Sequence, residues 1–132
     1  MKRLEGFTVV EVLIFFVILA TLAIFFVIQK TDLDSYYADR DRKATVNAIY
    51  YNLTEIYKPA KGYYPNEIKD DTLKGIDQEI LTDSLGININ DPDSDYIYKG
   101  LNCNGQGKCK EFTLTAKLDK EADYTKSSQD SK

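Results

Sequence analysis

Residues 7–28 read FTVVEVLIFFVILATLAIFFVI, an apolar run broken only by Thr8, Glu11 and Thr21. At about 1.5 Å per residue such a run spans roughly 33 Å as a helix, enough to cross a hydrocarbon core of about 30 Å. Lys2 and Arg3 precede it, a bias that places the N-terminus on the cytoplasmic side and the long remainder outside. A cleaved secretory signal would carry a shorter apolar stretch followed by a small-x-small site. Here Ala20 and Ala23 lie inside the run, and Gln29-Lys30-Thr31-Asp32 follows it. The run therefore reads as a single-span anchor.

Glu11 is the anomaly within it. A carboxylate near the middle of a membrane helix costs on the order of 2.5–3.5 kcal/mol, and less near the headgroups. Two readings follow. Glu11 lies close enough to the interface to snorkel or be protonated, or it meets a cationic partner in the membrane or in an assembly.

The rest of the chain bounds its chemistry. It has 132 residues, a net charge of -4, no His and no Trp. A Ser-His-Asp triad, a Cys-His dyad and an imidazole metal site are excluded, and the sequence reads as a non-enzyme that needs no cofactor. The acidic balance argues against nucleic acid, which needs a basic patch. Outside the apolar run about 100 residues remain, so any soluble core is small.

Residues 30–43 (KTDLDSYYADRDRK) are densely charged but contain no helix breaker. They read as a solvated continuation of the helix, with Asp39 and Lys43 at pairing distance. Val46, Ile49, Tyr50, Leu53, Ile56 and Tyr57 then form a stripe on one face that must pack on something. Lys58-Pro59 ends the pattern. The expectation is one helix over 7–58, on the order of 75 Å long. Residues 59–75 are rich in turn formers. Ile76 to Leu85 reads as a short helix stopped by Gly86, and 88–95 as an Asn/Asp-rich loop. Residues 112–118 alternate with period 2 as a strand. Its expected partner is 96–101, with a third short strand over 122–126 and a frayed tail, 127–132. The fold class is α+β: a long N-terminal helix, membrane-spanning in its first half (7–29), whose C-terminal part (30–58) packs against a small antiparallel sheet in a head over 59–126.

Gly6-Phe7-Thr8-Val9-Val10-Glu11-Val12-Leu13-Ile14, behind the short charged leader 1–6, resembles the prepilin motif of type IV pilins and type II secretion pseudopilins. Gly62-Tyr63-Tyr64-Pro65 resembles the Gly-x-Tyr-Pro element that follows the long helix in secretion pseudopilins and related short pilins. The resemblance implies a pilin-like fold and cleavage after Gly6 by a membrane-embedded prepilin peptidase. It further implies N-methylation of Phe7, and a Glu11 that neutralises the Phe7 amine of a neighbouring subunit. It implies a structural subunit of a type IV pilus, polymerised as a helical homopolymer and serving adhesion or twitching motility. The alternatives are a pseudopilin of a secretion or DNA-uptake system and a single-span anchored binding module that never polymerises. Implied partners are other copies, the prepilin peptidase and an inner-membrane assembly platform. The precursor would sit in the cytoplasmic membrane and the assembled filament on the cell surface. Many members carry a Pro where this chain has Ile28, so the usual local cause of a helix break is missing.

Two further constellations stand out. Cys103 and Cys109 flank Asn-Gly-Gln-Gly-Lys between the two expected strands. Outside the cytoplasm this favours a disulfide closing the hairpin; a metal site lacks His and zinc spacing, and reduced thiols are the other alternative. Asp91, Asp93 and Asp95 alternate like the start of an EF-hand loop, making them weak calcium candidates. Tyr96 and Asn102 replace the Gly and Glu that such a loop needs, and an Asx-type turn around Pro92 is the plainer reading. The Tyr-rich composition reads as a small core sealed by rings with wet hydroxyls, with a Tyr-lined adhesive or subunit-contact surface as the alternative. Asn52-Leu53-Thr54 matches a glycosylation sequon, by chance given its place on the packing helix.

Overall fold

The computed structural model describes residues 8–69 and 71–130. Helix α1 spans Val9–Tyr51 and continues through a π-helical turn, Asn52–Tyr57, into a last α-turn, α2, Lys58–Lys61. No Gly or Pro falls between Gly6 and Pro59, so nothing local interrupts it. Four strands follow: β1 Tyr64–Pro65, β2 Tyr96–Cys103, β3 Lys108–Ala116 and β4 Tyr124–Ser127. The chain divides into two compact units, Met1–Tyr36 and Tyr37–Lys132.

In the first unit the described residues are helical from Val9 onward and their apolar side chains are exposed. In the second, β3 is the central strand of an antiparallel sheet. It pairs with β2 along one edge, and with β1 and β4 on the other. The register sets Tyr98 opposite Leu114 and Gly100 opposite Phe112. Val46, Ile49 and Leu53 of the helix are buried with Tyr64, Tyr96, Tyr98, Phe112, Leu114 and Ala116 of the sheet. Phe112 is the hub: Tyr64 meets it edge-on at 4.7 Å, Tyr98 stacks at 5.8 Å and Tyr50 lies at 6.0 Å. Each such side chain stabilises the head by about 1.5–3 kcal/mol on burial. The Tyr50 hydroxyl is buried without a hydrogen-bond partner among the described residues, but Tyr98 donates to Pro65 O at 2.7 Å and Tyr124 to Asn47 Oδ1 at 3.1 Å. That is why Tyr can stand where Phe would be expected.

The helix does not end at Lys58. Lys58 N–H donates to Leu53 O, a π-type bond. Pro59 would clash with the carbonyl four residues back in an unbroken α-helix. The wide turn precedes it, and Pro59 then opens α2 at a first-turn position, where its missing N–H is not needed. Gly62, at φ 83°, closes α2 with its N–H on Lys58 O. The same turn rotates the expected stripe, so Ile56 is exposed while Leu53 is buried.

The helix expected over 76–85 is reduced to a 3₁₀ turn, Gln78–Leu81. Asp83 ends it. Its Oδ1 accepts the N–H groups of Leu85 and Ile87, both at 2.9 Å, and so competes with helical pairing. Thr82 bridges to Asn88, and Leu85 points outward at 80% exposure.

Candidate assembly site at the start of the apolar helix

Thr8 precedes α1 and Glu11 lies in its first turn. Thr8 N–H donates to Glu11 Oε2 at 2.9 Å, the Thr8 hydroxyl donates to the same oxygen at 3.2 Å, and Glu11 N–H donates to Thr8 Oγ1 at 3.3 Å. This is a reciprocal capping box, satisfying backbone donors that the helix itself leaves unpaired. A carboxylate here also meets the positive end of the helix dipole. The signal was present as Thr-x-x-Glu before an apolar run, yet sequence reasoning weighed Glu11 without Thr8. Both donors to the carboxylate converge on Oε2. Gly6 and Phe7, the expected processing residues, lie outside the described residues.

Beyond Glu11 the surface is greasy. All large hydrophobic side chains from Val9 to Ile28 are exposed. Thr21 folds its hydroxyl back onto Ile18 O at 2.8 Å, and Thr31 onto Ile28 O at 2.9 Å. Hydroxyls bonded within their own helix suit a medium without water. The helix is long and apolar enough to cross a membrane, with mean hydropathy 2.9 over its most apolar window. Ile14, Phe15 and Ile18 share the face that Glu11 heads, at spacings of three, four and seven residues.

Among the other sequence candidates, Cys103 and Cys109 form a disulfide between directly paired residues of β2 and β3. The hairpin tip is ordered by Asn104, whose Oδ1 accepts Gln106 N–H and Lys108 N–H at 3.0 and 2.9 Å. Asp91, Asp93 and Asp95 are not brought together as a metal site. Asp91 and Asp93 are exposed, and Asp95 Oδ2 is paired with Arg42 Nη2 at 2.9 Å. No group of three or more ligating side chains suited to a metal occurs among the described residues. Asn52 of the sequon is buried, donating Nδ2–H to Lys74 O at 3.2 Å.

One cluster escaped the sequence. Residues 30–43 were expected to be solvated, with Asp39 paired to Lys43, but Asp39 is 2% exposed. Its carboxylate accepts the backbone N–H groups of Asp119 and Lys120, both at 2.8 Å, and Arg42 Nη1 at 3.0 Å. Lys43 instead meets Glu121 at 2.6 Å. Arg42 also holds Asp95 and Asp119, tying the helix to the turns before β2 and after β3. Burial pushes the Asp39 carboxyl pKa upward, but the Asp119 and Lys120 N–H groups, and then Arg42, outweigh it and hold it below the usual value. Asp83 behaves alike: burial raises it, and the N–H groups of Ile87, Leu85 and Asp95 bring it below the ordinary range. Nothing at short range announces this cluster, because Asp119 lies far along the chain.

No protein-family model, curated protein or solved structure matches this chain. The functional reading rests on its own residues.

Proposed function

We propose that this chain is the precursor of a structural subunit of a type IV pilus, processed after Gly6 and polymerised through its apolar helix. The observation that carries the reading is the exposed apolar surface from Val9 to Ile28, headed by one hydrogen-bonded carboxylate, Glu11. Burying such side chains stabilises by about 1.5–3 kcal/mol each, so the helix needs a cover. Lipid provides it before assembly, and the helices of other copies after it. Glu11 Oε1 then accepts the Phe7 ammonium of a neighbour, while Oε2 keeps its bonds to Thr8. The disulfide of the head suits an oxidising exterior. Filament service in adhesion or twitching motility is the first role; a pseudopilin of a secretion or DNA-uptake machine is the variant of the same reading.

Mass spectrometry of the native N-terminus tests processing. The expected species begins at Phe7 with an added methyl group, and replacement of Gly6 by a bulky residue leaves full-length precursor in the membrane. Normal maturation of that variant sinks the assignment. Electron microscopy of sheared surface material then separates the roles, because extended filaments under native expression count against a pseudopilin.

A second reading has its own observation. The capping box gives Glu11 a reason to exist within one chain, as the cap of a single-span anchor that never polymerises. Intact Met1 on the mature protein favours it.

A further inference from the structure

Lys58, Lys108 and Lys110 line a cavity of about 390 Å³ at the hairpin end of the sheet, together with Tyr63, Asn102 and Asn104. No carboxylate lines it, but Glu111 stands at its edge, accepting Asn102 Nδ2–H at 3.0 Å. None of the three lysines forms an ion pair among the described residues, as is also true of Lys61, Lys74, Lys99, Lys117 and Lys126, but these three are gathered at one concavity. Lys58 lies at the helix C-terminus, where the dipole favours a cation. That argument does not reach Lys108 and Lys110, which project from β3 on either side of the buried Cys109. In a chain of net charge -4, three unpaired ammonium groups around one concavity focus a positive field.

We propose that this cavity binds an acidic sugar unit of a polysaccharide, carrying carboxylate or sulfate groups. The lysines would take the charge. Lys58 Nζ sits 4.7 Å from the Tyr64 ring centroid and Lys108 Nζ 5.2 Å from that of Tyr63, so rings hold both ammonium groups near the site. Tyr63 is half-buried and supplies a flat apolar surface for the C–H face of a pyranose. Asn104 is anchored through Oδ1 by two backbone N–H groups, so its amide is held in place for sugar hydroxyls. The concavity, about 390 Å³, has room for a sugar ring. A nucleic acid would need an extended basic track, which an acidic head does not offer. The inference stands on the head alone and is independent of whether the chain polymerises.

The test is calorimetric titration of the full-length chain in a non-ionic detergent. The probes are a galacturonic acid hexamer, neutral maltohexaose and a short DNA duplex. The acidic hexamer is expected to bind, with affinity falling as salt rises, and maltohexaose is not. Lys108→Glu with Lys110→Glu should weaken binding by about tenfold or more, since it replaces attraction with repulsion. Lys74→Glu with Lys99→Glu changes net charge equally at lysines that do not line the cavity, and should weaken it by no more than about twofold. Circular dichroism and an intact disulfide show that each variant folds. If the reversal pair does not fold, Lys108→Ala with Lys110→Ala takes its place, with a loss of roughly 3- to 10-fold. Absence of acidic-sugar binding, equal binding of maltohexaose, equal weakening by the two charge-matched pairs, or tighter binding of DNA each overturns the proposal.

Discussion

Replacing Asp39 by Asn tests the least legible part of the head. The side chain keeps its shape and one oxygen, but loses its charge and presents an N–H₂ group where the carboxylate accepted a backbone N–H. Asp39 accepts Asp119 N–H and Lys120 N–H, each at 2.8 Å, and Arg42 at 3.0 Å. Hydrogen bonds to a charged group contribute about 1.5–3 kcal/mol, neutral ones about 0.5–1.5 kcal/mol. Losing one such bond and weakening the other gives a cost of about 2–4 kcal/mol; Arg42 keeps Asp95 and Asp119. For a unit of this size that lowers Tm by roughly 10–25 °C. The assay is thermal unfolding of the full chain in detergent, followed by near-ultraviolet circular dichroism with the disulfide intact. pH sharpens it. The folded carboxyl of Asp39 titrates below its ordinary 3.8. Its contribution is therefore present above the unfolded value of about 3.9 and is lost as pH falls through the lower folded value. Asn has nothing to titrate, so the gap between wild type and variant should narrow from pH 5 downward; Asp83 titrates in the same sense in both and cancels. A Tm shift under about 3 °C, or a gap constant with pH, would refute the claim that Asp39 pins the turn after β3.

Glu11→Gln keeps an acceptor for Thr8 and removes the charge, so precursor insertion and processing should persist while filament yield, counted by electron microscopy, falls sharply; wild-type yield favours the anchor reading. Cys103→Ser with Cys109→Ser removes a constraint on the unfolded chain worth about 2–2.5 kcal/mol and should lower Tm by roughly 8–20 °C in calorimetry. Gly100→Ala would place a Cβ 2.6 Å from Cys109 Sγ and 2.8 Å from Pro65 O. Because one neighbour is backbone and the other is fixed in a disulfide, denaturant titration should show a loss of about 1–3 kcal/mol.

What the sequence disclosed is what short-range periodicity encodes. The apolar run produced the long N-terminal helix, and the alternation of Phe112, Leu114 and Ala116 produced β3 with its partner β2. β1 has no signature in the sequence beyond a turn, because two residues, Tyr64 and Pro65, carry no period; their pairing with Cys109 and Lys108 comes from the tertiary fold. The misread segment 76–85 had a helical spacing of apolar residues, but one carboxylate, Asp83, captures the backbone donors that a helix would use. At the candidate site Glu11 was visible as an oddity, while its bond to Thr8 needed only a local motif to be found. Asp39 was invisible in principle, since a charged residue among charged residues becomes a buried acceptor only when residues 119 and 120 arrive.

The two polar anchors of the head do what its apolar stripe cannot. Val46, Ile49 and Leu53 repeat at three and four residues, so sliding the helix by one turn along the sheet would still bring apolar side chains inward. Asp39 removes that freedom. Its two oxygens meet two successive backbone N–H groups, and one turn of slippage would leave them unpaired inside the protein. At the other end Asn52, 4% exposed, donates to Lys74 O and fixes the helix where the π turn begins. The π turn then brings Pro59 to the opening of a fresh helical turn, and Gly62 sends the chain into β1, whose Tyr64 packs edge-on against Phe112. Buried surface supplies the bulk of the stability, while Asp39 and Asn52 select one register from those the stripe allows. A variant that loses Asp39 should therefore keep its helix content and lose the sharpness of its aromatic packing first, with the near-ultraviolet signal falling before the far-ultraviolet one.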